Sequence, residues 1–241
     1  MASTSELGNA KQLAGFEDFV TQLMALGTAY SPPKPELILA NLQAQLTAGK
    51  AAMREISTTS PLYSIAVDNQ ELAFKSLNDK VTRSLNYFKV CVTNPEEIET
   101  AKSLADKIRG FNKKPKATTE PDAPETKTIS RSQMSYDNRI ENLKQYIDVL
   151  TASGVYVNPR NEIEIADFTV LLSEMEDTNR IVAETKLPLE VARSKRDLVF
   201  YTAVTGIAAL VTNIKSYLKA TLSKDNPYYD GLLGFAFRAQ A

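Results

Sequence analysis

The chain carries its own pattern twice, and that constrains its fold more than any single motif. The segment Val81-Thr82-Arg83-Ser84-Leu85-Asn86-Tyr87-Phe88-Lys89 returns as Val211-Thr212-Asn213-Ile214-Lys215-Ser216-Tyr217-Leu218-Lys219, sharing V-T-x4-Y-x-K. The match extends in both directions. Leu23 and Gly27 align with Leu150 and Gly154, and Tyr30, Pro33, Glu36 and Leu39 with Tyr156, Pro159, Glu162 and Ile165. Arg54 and Pro61 align with Arg180 and Pro188, Phe74 with Phe200, Asn94-Pro95 with Asn226-Pro227, and Gly110-Phe111 with Gly234-Phe235. The offset drifts by a few residues, as small insertions at helix ends would produce. Two similar halves are expected.

The period within each half is helical. Leu39, Leu42, Leu46, Met53 and Ile56 fall on one stripe, with Gly49 filling a place on it. Ile165, Phe168, Leu172, Met175 and Val182 hold the same register, with Asn179 filling the interruption. A stripe spaced by threes and fours over several turns suits antiparallel helices packed at a small crossing angle.

Breaks are marked by glycine and proline. Gly27 and Gly154 are placed to end the first helix of each half in a left-handed cap. Ser31-Pro32-Pro33-Lys34-Pro35 and Asn158-Pro159-Arg160-Asn161 read as turns. Pro61 and Pro188 read as early residues of a third helix, where a missing amide hydrogen costs nothing. Thr93-Asn94-Pro95-Glu96-Glu97 is a helix start with cap, proline and acids in order, which Asp225-Asn226-Pro227 repeats more weakly. Each half is therefore predicted to hold four helices. These are 9–27, 35–59, 61–92 and 95–111, then 136–153, 160–186, 188–222 and 226–236. The third of each half would be about 45–50 Å long.

The fold expected is all-α, with two pseudo-symmetric up-down bundles from an internal duplication, packed together or separate. Residues 1–111 form the first repeat and 136–241 the second. Between them, 112–135 is rich in Lys, Thr, Pro, Asp and Glu, and reads as a flexible polar linker with Ser135 or Asp137 capping the next helix.

Composition removes much chemistry. The chain has no histidine, which excludes Ser-His-Asp and Cys-His nucleophile systems and the usual zinc and haem sites. There is no Walker loop, no G-x-G-x-x-G and no Asp-rich calcium loop. Glu174, Glu176 and Asp177, like Glu96, Glu97 and Glu99, read as solvated helix faces rather than paired catalytic acids. The single cysteine, Cys91, rules out an internal disulfide framework and reads as a buried thiol. No cofactor, metal or catalytic residue is expected, and the chain is read as a non-enzyme. A net charge of −1 offers no field to draw nucleic acid. Met1 to Gly15 lacks a basic region followed by an apolar core, so cytoplasmic is the default expectation. The uncharged run Leu198–Ile214 is too short to span a bilayer and reads as one helix buried on several sides.

Two features point to partners. Tyr87 and Lys89 recur as Tyr217 and Lys219, and Tyr30 as Tyr156. The simpler reading is packing at a core edge, and the sharper one is a pair of equivalent binding surfaces. The apolar end around Phe235 and Phe237 either tucks into the bundle or meets a neighbouring chain. Interaction residues are therefore sought at Tyr87, Lys89, Tyr217, Lys219, Phe235 and Phe237.

With the duplicated pattern and the segment Ser135-Tyr136-Asp137-Asn138-Arg139-Ile140-Glu141-Asn142 in view, the chain resembles a group of uncharacterised all-helical proteins of Bacteroidetes-type bacteria. They are similar in length, in the polar central linker and in the N-R-I-E-N helix start. The resemblance covers most of the chain and implies a bacterial source, with no activity attached. The expected role is a structural or protein-interaction protein, self-assembling or bound to a protein partner. The alternative is a membrane-active, pore-forming protein that exposes 198–214.

Overall fold

The computed structural model describes residues 4–110, 134–157, 159–160, 162–235 and 237. Among them the elements are α1 (Thr4–Ala25), α2 (Leu39–Lys75), α3 (Leu77–Cys91), α4 (Pro95–Arg109), α5 (Tyr136–Ala152), α6 (Ile165–Tyr201), α7 (Ile207–Thr221) and α8 (Tyr229–Gly234). Single 3-10 turns cover Gly27–Ala29 and Pro35–Leu37. The protein is all-α, with no strand among the described residues. The expected linker, 112–135, lies outside the described residues except for Met134 and Ser135.

Several local signals act as their chemistry dictates. Gly27 and Gly154 follow α1 and α5 with φ of 55° and 65°, the left-handed region that a Cβ disfavours. Asn94 caps α4 by accepting from the Glu96 N–H at 3.0 Å, with Pro95 at the first position and Glu96 and Glu97 in the first turn. Ser135 caps α5 through the Asn138 N–H at 3.3 Å. At Asp225-Asn226-Pro227 no helix starts. Asn226 instead accepts from the Tyr228 N–H at 2.9 Å, and α8 begins at Tyr229.

The prolines do not divide the second and third helices. Pro61 lies inside α2 and Pro188 inside α6, each helix running for 37 residues. Both rings are exposed, so the carbonyls four residues back, on Ser57 and Glu184, lose their helical donor on a side open to water. Packing of Ile56 against Leu189 and Ala192 holds the helices together beside these points. The breaks fall later, at Ser76 and at Thr202–Gly206. The long helix of each half is thus the second, about 55 Å, and the third has 15 residues, about 22 Å.

The Leu198–Ile214 run is likewise not one helix. It ends α6 at Tyr201, turns, and enters α7 at Ile207. A Cβ at Gly206 would stand 2.5 Å from the Thr202 nitrogen and 2.6 Å from its oxygen, so main chain, not side chain, fixes glycine there. No helix among the described residues is long and apolar enough to cross a membrane.

Two compact units form, and neither is one half of the sequence. The first is Met1–Ser64 with Thr185–Ala241: α1, the 3-10 turns, the start of α2, the end of α6, α7 and α8. Phe16, Phe19 and Leu23 of α1 meet Leu42 of α2, Phe200 of α6, Ile207, Ile214 and Leu218 of α7 and Leu232 of α8 in its core. Here α2 and α6 run antiparallel, with Gln45 Nε2 donating to the Val199 carbonyl at 2.8 Å and Lys195 meeting Glu55 at 3.0 Å. Gly49 is buried because a Cβ there would stand 2.7 Å from Leu13 Cδ1.

The second unit is Ile65–Glu184: the end of α2, α3, α4, α5 and the start of α6. Its core joins Phe74, Val81, Leu85 and Phe88 to Leu104 and Ile108 of α4, Leu143 and Tyr146 of α5, and Phe168 and Met175 of α6. Asn179, the polar interruption of the α6 stripe, accepts from Gln70 at 2.7 Å and donates to Asp137 at 2.6 Å. The two stripe interruptions therefore have different causes, a close approach in one unit and a polar bridge in the other.

Candidate functional site

The recurring tyrosines come together across the sequence. In the first unit Tyr30, in the loop after α1, donates its hydroxyl to the Leu37 carbonyl at 2.6 Å and closes the loop into α2. The edge of its ring meets Tyr217 of α7, with centroids 5.7 Å apart and planes at 83°. The Tyr217 oxygen accepts from the Ser31 N–H at 3.1 Å. In the second unit Tyr156, in the loop after α5, donates to the Ile163 carbonyl at 2.7 Å. It meets Tyr87 of α3 at 5.4 Å and 88°, and Tyr87 donates to the Val157 carbonyl at 2.6 Å. Edge-to-face tyrosines with their hydroxyls on loop backbone bury apolar area and satisfy polar groups together. Ile163 directly follows Glu162, a non-glycine residue at φ 61°, so the Tyr156 bond pins the carbonyl beside a strained turn.

The second unit adds a buried hydroxyl network. Ser84 Oγ lies 3.1 Å from the Tyr146 oxygen and 2.8 Å from the Tyr156 oxygen, with all three side chains buried. One proton per hydroxyl orders the set: Tyr146 donates to Ser84, Ser84 to Tyr156, and Tyr156 to the Ile163 carbonyl. Sequence reasoning missed Ser84 and Tyr146. The available signal is a serine at helical spacing among the apolar residues Val81, Leu85 and Phe88 of α3. Burial pushes the phenols of Tyr30 and Tyr146 well above the usual range and that of Tyr156 up to about 12. Tyr87 is raised too, by burial and by Cys91 beside it. Cys91 is half-buried at the end of α3 rather than fully enclosed.

The sign of the pH effect follows. A phenol raised in the folded state stabilises the fold below its unfolded value and loses that contribution as pH rises through the folded one. For Tyr156 the window runs from about 10 to about 12. In an alkaline titration, Tyr30, Tyr146 and Tyr156 ionise only as helical signal is lost. Ionisation of Tyr30, Tyr146 and Tyr156 near pH 10, with the helices intact, would contradict this burial.

Lys89 and Lys219 are exposed in the last turns of α3 and α7, where a cation meets the negative helix end. Phe235 and Phe237 tuck into the first unit. Phe235 stacks on Phe19 at 5.2 Å and Phe237 lies 5.9 Å from Phe200. A Cβ on Gly15 would stand 2.5 Å from the Phe235 ring, so the glycine of α1 makes room for it. Lys215 Nζ donates to the Phe235 carbonyl, and burial lowers the pKa of this lysine.

The second unit also has an open groove of about 610 Å³ between α2, α3 and α5. Phe74 and Tyr136 line it edge to face at 4.6 Å, and the Arg139 guanidinium sits over Phe74 at 5.3 Å. Arg139 donates to the Ile108 carbonyl at 3.2 Å and to Asn78 at 2.9 Å, which ties α5 to the end of α4 and to α3. Asp68, Glu71 and Leu72 of α2 line the same groove. The groove thus sets Asp68 and Glu71 together with Lys75 and Arg139 beside apolar area. A second open groove of about 640 Å³, between α4 and α5, is lined by Glu96, Glu99, Lys107 and Gln145 among others. A scan of protein-family models, a search of curated proteins and a search of solved structures each returned no match to this chain.

Proposed function

We propose that this chain is a non-enzymatic structural or protein-interaction protein that self-associates, built from two diverged copies of one four-helix repeat. In this reading α1 to α4 correspond to α5 to α8, and the copies exchange helices so that each compact unit needs both. The observation that carries it is the tyrosine geometry. Tyr30 pairs with Tyr217 and Tyr156 with Tyr87, each pair joining one residue from each half at nearly the same distance and angle. Each loop tyrosine also reaches the carbonyl seven residues on.

A further support is a joint change of polarity. At the offset that aligns Leu23 with Leu150, Tyr146 corresponds to Phe19. In the shared nine-residue segment Ser84 corresponds to Ile214. Tyr146 and Ser84 share a hydrogen bond in the second core, while Phe19 and Ile214 are both buried in the first. Hydroxyls present together or absent together leave no buried hydroxyl unpaired at these four positions.

The interaction reading rests on how the recurring residues are used. The repeated tyrosines hold loops to helices, and the strongly raised phenols owe their shift mainly to burial. Exposed apolar residues include Leu62, Ile65 and Leu72 of α2 and Leu187, Val191 and Leu198 of α6. Light scattering behind a sizing column, over a wide range of concentration, tests it. We expect a mass rising above the single-chain 26.6 kDa as concentration rises. A constant single-chain mass would overturn self-association.

A further inference from the structure

We infer that self-association runs by exchange of the arm that follows α8: Phe235 and Phe237 of one copy dock in the groove of a second, where that copy's own arm sits in the single chain. This rests on the self-association proposed above and names the contact. What covers the groove is visible in the first unit. The chain leaves α8 at Phe235, whose ψ of 125° is far from the helical value. Phe235 then stacks on Phe19 of α1 at 5.2 Å, and Phe237 lies 5.9 Å from Phe200 of α6. Gly15 shapes the floor, because a Cβ there would stand 2.5 Å from the Phe235 ring. Lys215 of α7 donates to the Phe235 carbonyl, a main-chain contact that any copy of the arm can make.

The arm can come away without its helix. Leu232 is fully buried and anchors α8 in the core, whereas Phe235 and Phe237 are only partly buried against it. Gly234 stands between anchor and arm. A Cβ there would meet nothing within 4 Å, and its φ is not in the left-handed region. Neither packing nor backbone angle calls for glycine at this place, so what it supplies is rotational freedom at the root of the arm. In a second copy the arm makes the same contacts as in its own chain, and no new complementarity is needed. Exchange of identical segments is for that reason a low-cost route to dimers. Reciprocal exchange closes the pair about a two-fold axis, so growth stops at two. The arm of the same chain competes at its own effective concentration, about millimolar for a short connection, and exchanged dimers accumulate as the protein approaches it.

The test uses the full chain in two forms. Phe235→Ser with Phe237→Ser removes the rings of the arm. Gly15→Leu fills the groove with a residue that favours the helix over glycine. Far-ultraviolet dichroism checks that the helices are kept. In light scattering, each form alone is expected to stay at single-chain mass where the wild type dimerises. Mixed in equal amounts, they are expected to form a one-to-one dimer at a concentration about tenfold below that needed by the wild type, because the free arm of one and the empty groove of the other have no competitor in their own chain. If the wild type associates but both forms alone do so equally well, or their mixture stays at single-chain mass, the arm is not the contact while self-association stands. A wild type that remains single-chain up to about 1 mM overturns both.

Discussion

Tyr156→Ala is expected to destabilise the protein by about 3–5 kcal/mol, the range for emptying a buried aromatic site. The ring is 5% exposed and touches Tyr87 and Phe88. Its hydroxyl is the only described side-chain donor to the Ile163 carbonyl and the partner through which Ser84 is satisfied. Alanine therefore leaves a cavity, an unpaired carbonyl beside the strained Glu162 turn, and a buried serine short of one partner. Tyr156→Phe separates the contributions: it keeps the ring and should cost about 1–3 kcal/mol, the penalty of leaving buried polar groups unpaired. Tyr30→Phe should cost less, because no serine shares the Tyr30 hydroxyl and only the Leu37 carbonyl loses its donor. Urea denaturation followed by helical signal measures all three. A loss below about 1 kcal/mol for Tyr156→Ala would mean that the site is not the packed hub described, since truncating a buried aromatic to alanine costs about 3–5 kcal/mol.

Helix content was legible because apolar spacing records which side of a helix is buried. Leu42, Ile56, Phe168 and Met175 are buried as their stripes require. Caps at Asn94 and Ser135 and the left-handed glycines Gly27 and Gly154 were legible because the chemistry is local. Pro61 and Pro188 misled, because a proline stops a helix only when the freed carbonyl has nowhere to turn. Here both rings face solvent. The break at Thr202–Gly206 was hidden inside an uncharged run, where hydropathy gives no boundary.

Which helix covers which was not legible at all. A stripe on α1 states that a face is buried and is silent on whether α3 or α7 buries it. The recurrence of Tyr30, Tyr87, Tyr156 and Tyr217 was visible, but their pairing crosses from one half of the chain to the other. Ser84 escaped notice because a serine is small enough to sit on an apolar stripe, and its partner Tyr146 lies on a different helix. Phe235 and Phe237 stood out as an apolar end. Their destination depends on space left by Gly15, which only the packing reveals.

The second large effect concerns the halves themselves. Residues 1–110 carry α1 to α4, and residues 134–241 carry α5 to α8. In the first unit α1 needs α7 and α8, and in the second α3 and α4 need α5. A half-chain alone would expose Phe16, Phe19 and Leu23, or Leu143, Tyr146 and Leu150, which the intact units bury. Burial of such side chains contributes about 1.5–3 kcal/mol each, so neither half can offset its chain entropy without the other. The most direct measurement is to express the halves separately and follow helical signal and urea unfolding, alone and mixed in equal amounts. We expect weak helicity without a cooperative transition from each half alone, and recovery of both on mixing as a one-to-one complex. A sharp cooperative transition from either half by itself would contradict the exchange of helices between units and return the protein to two independent bundles.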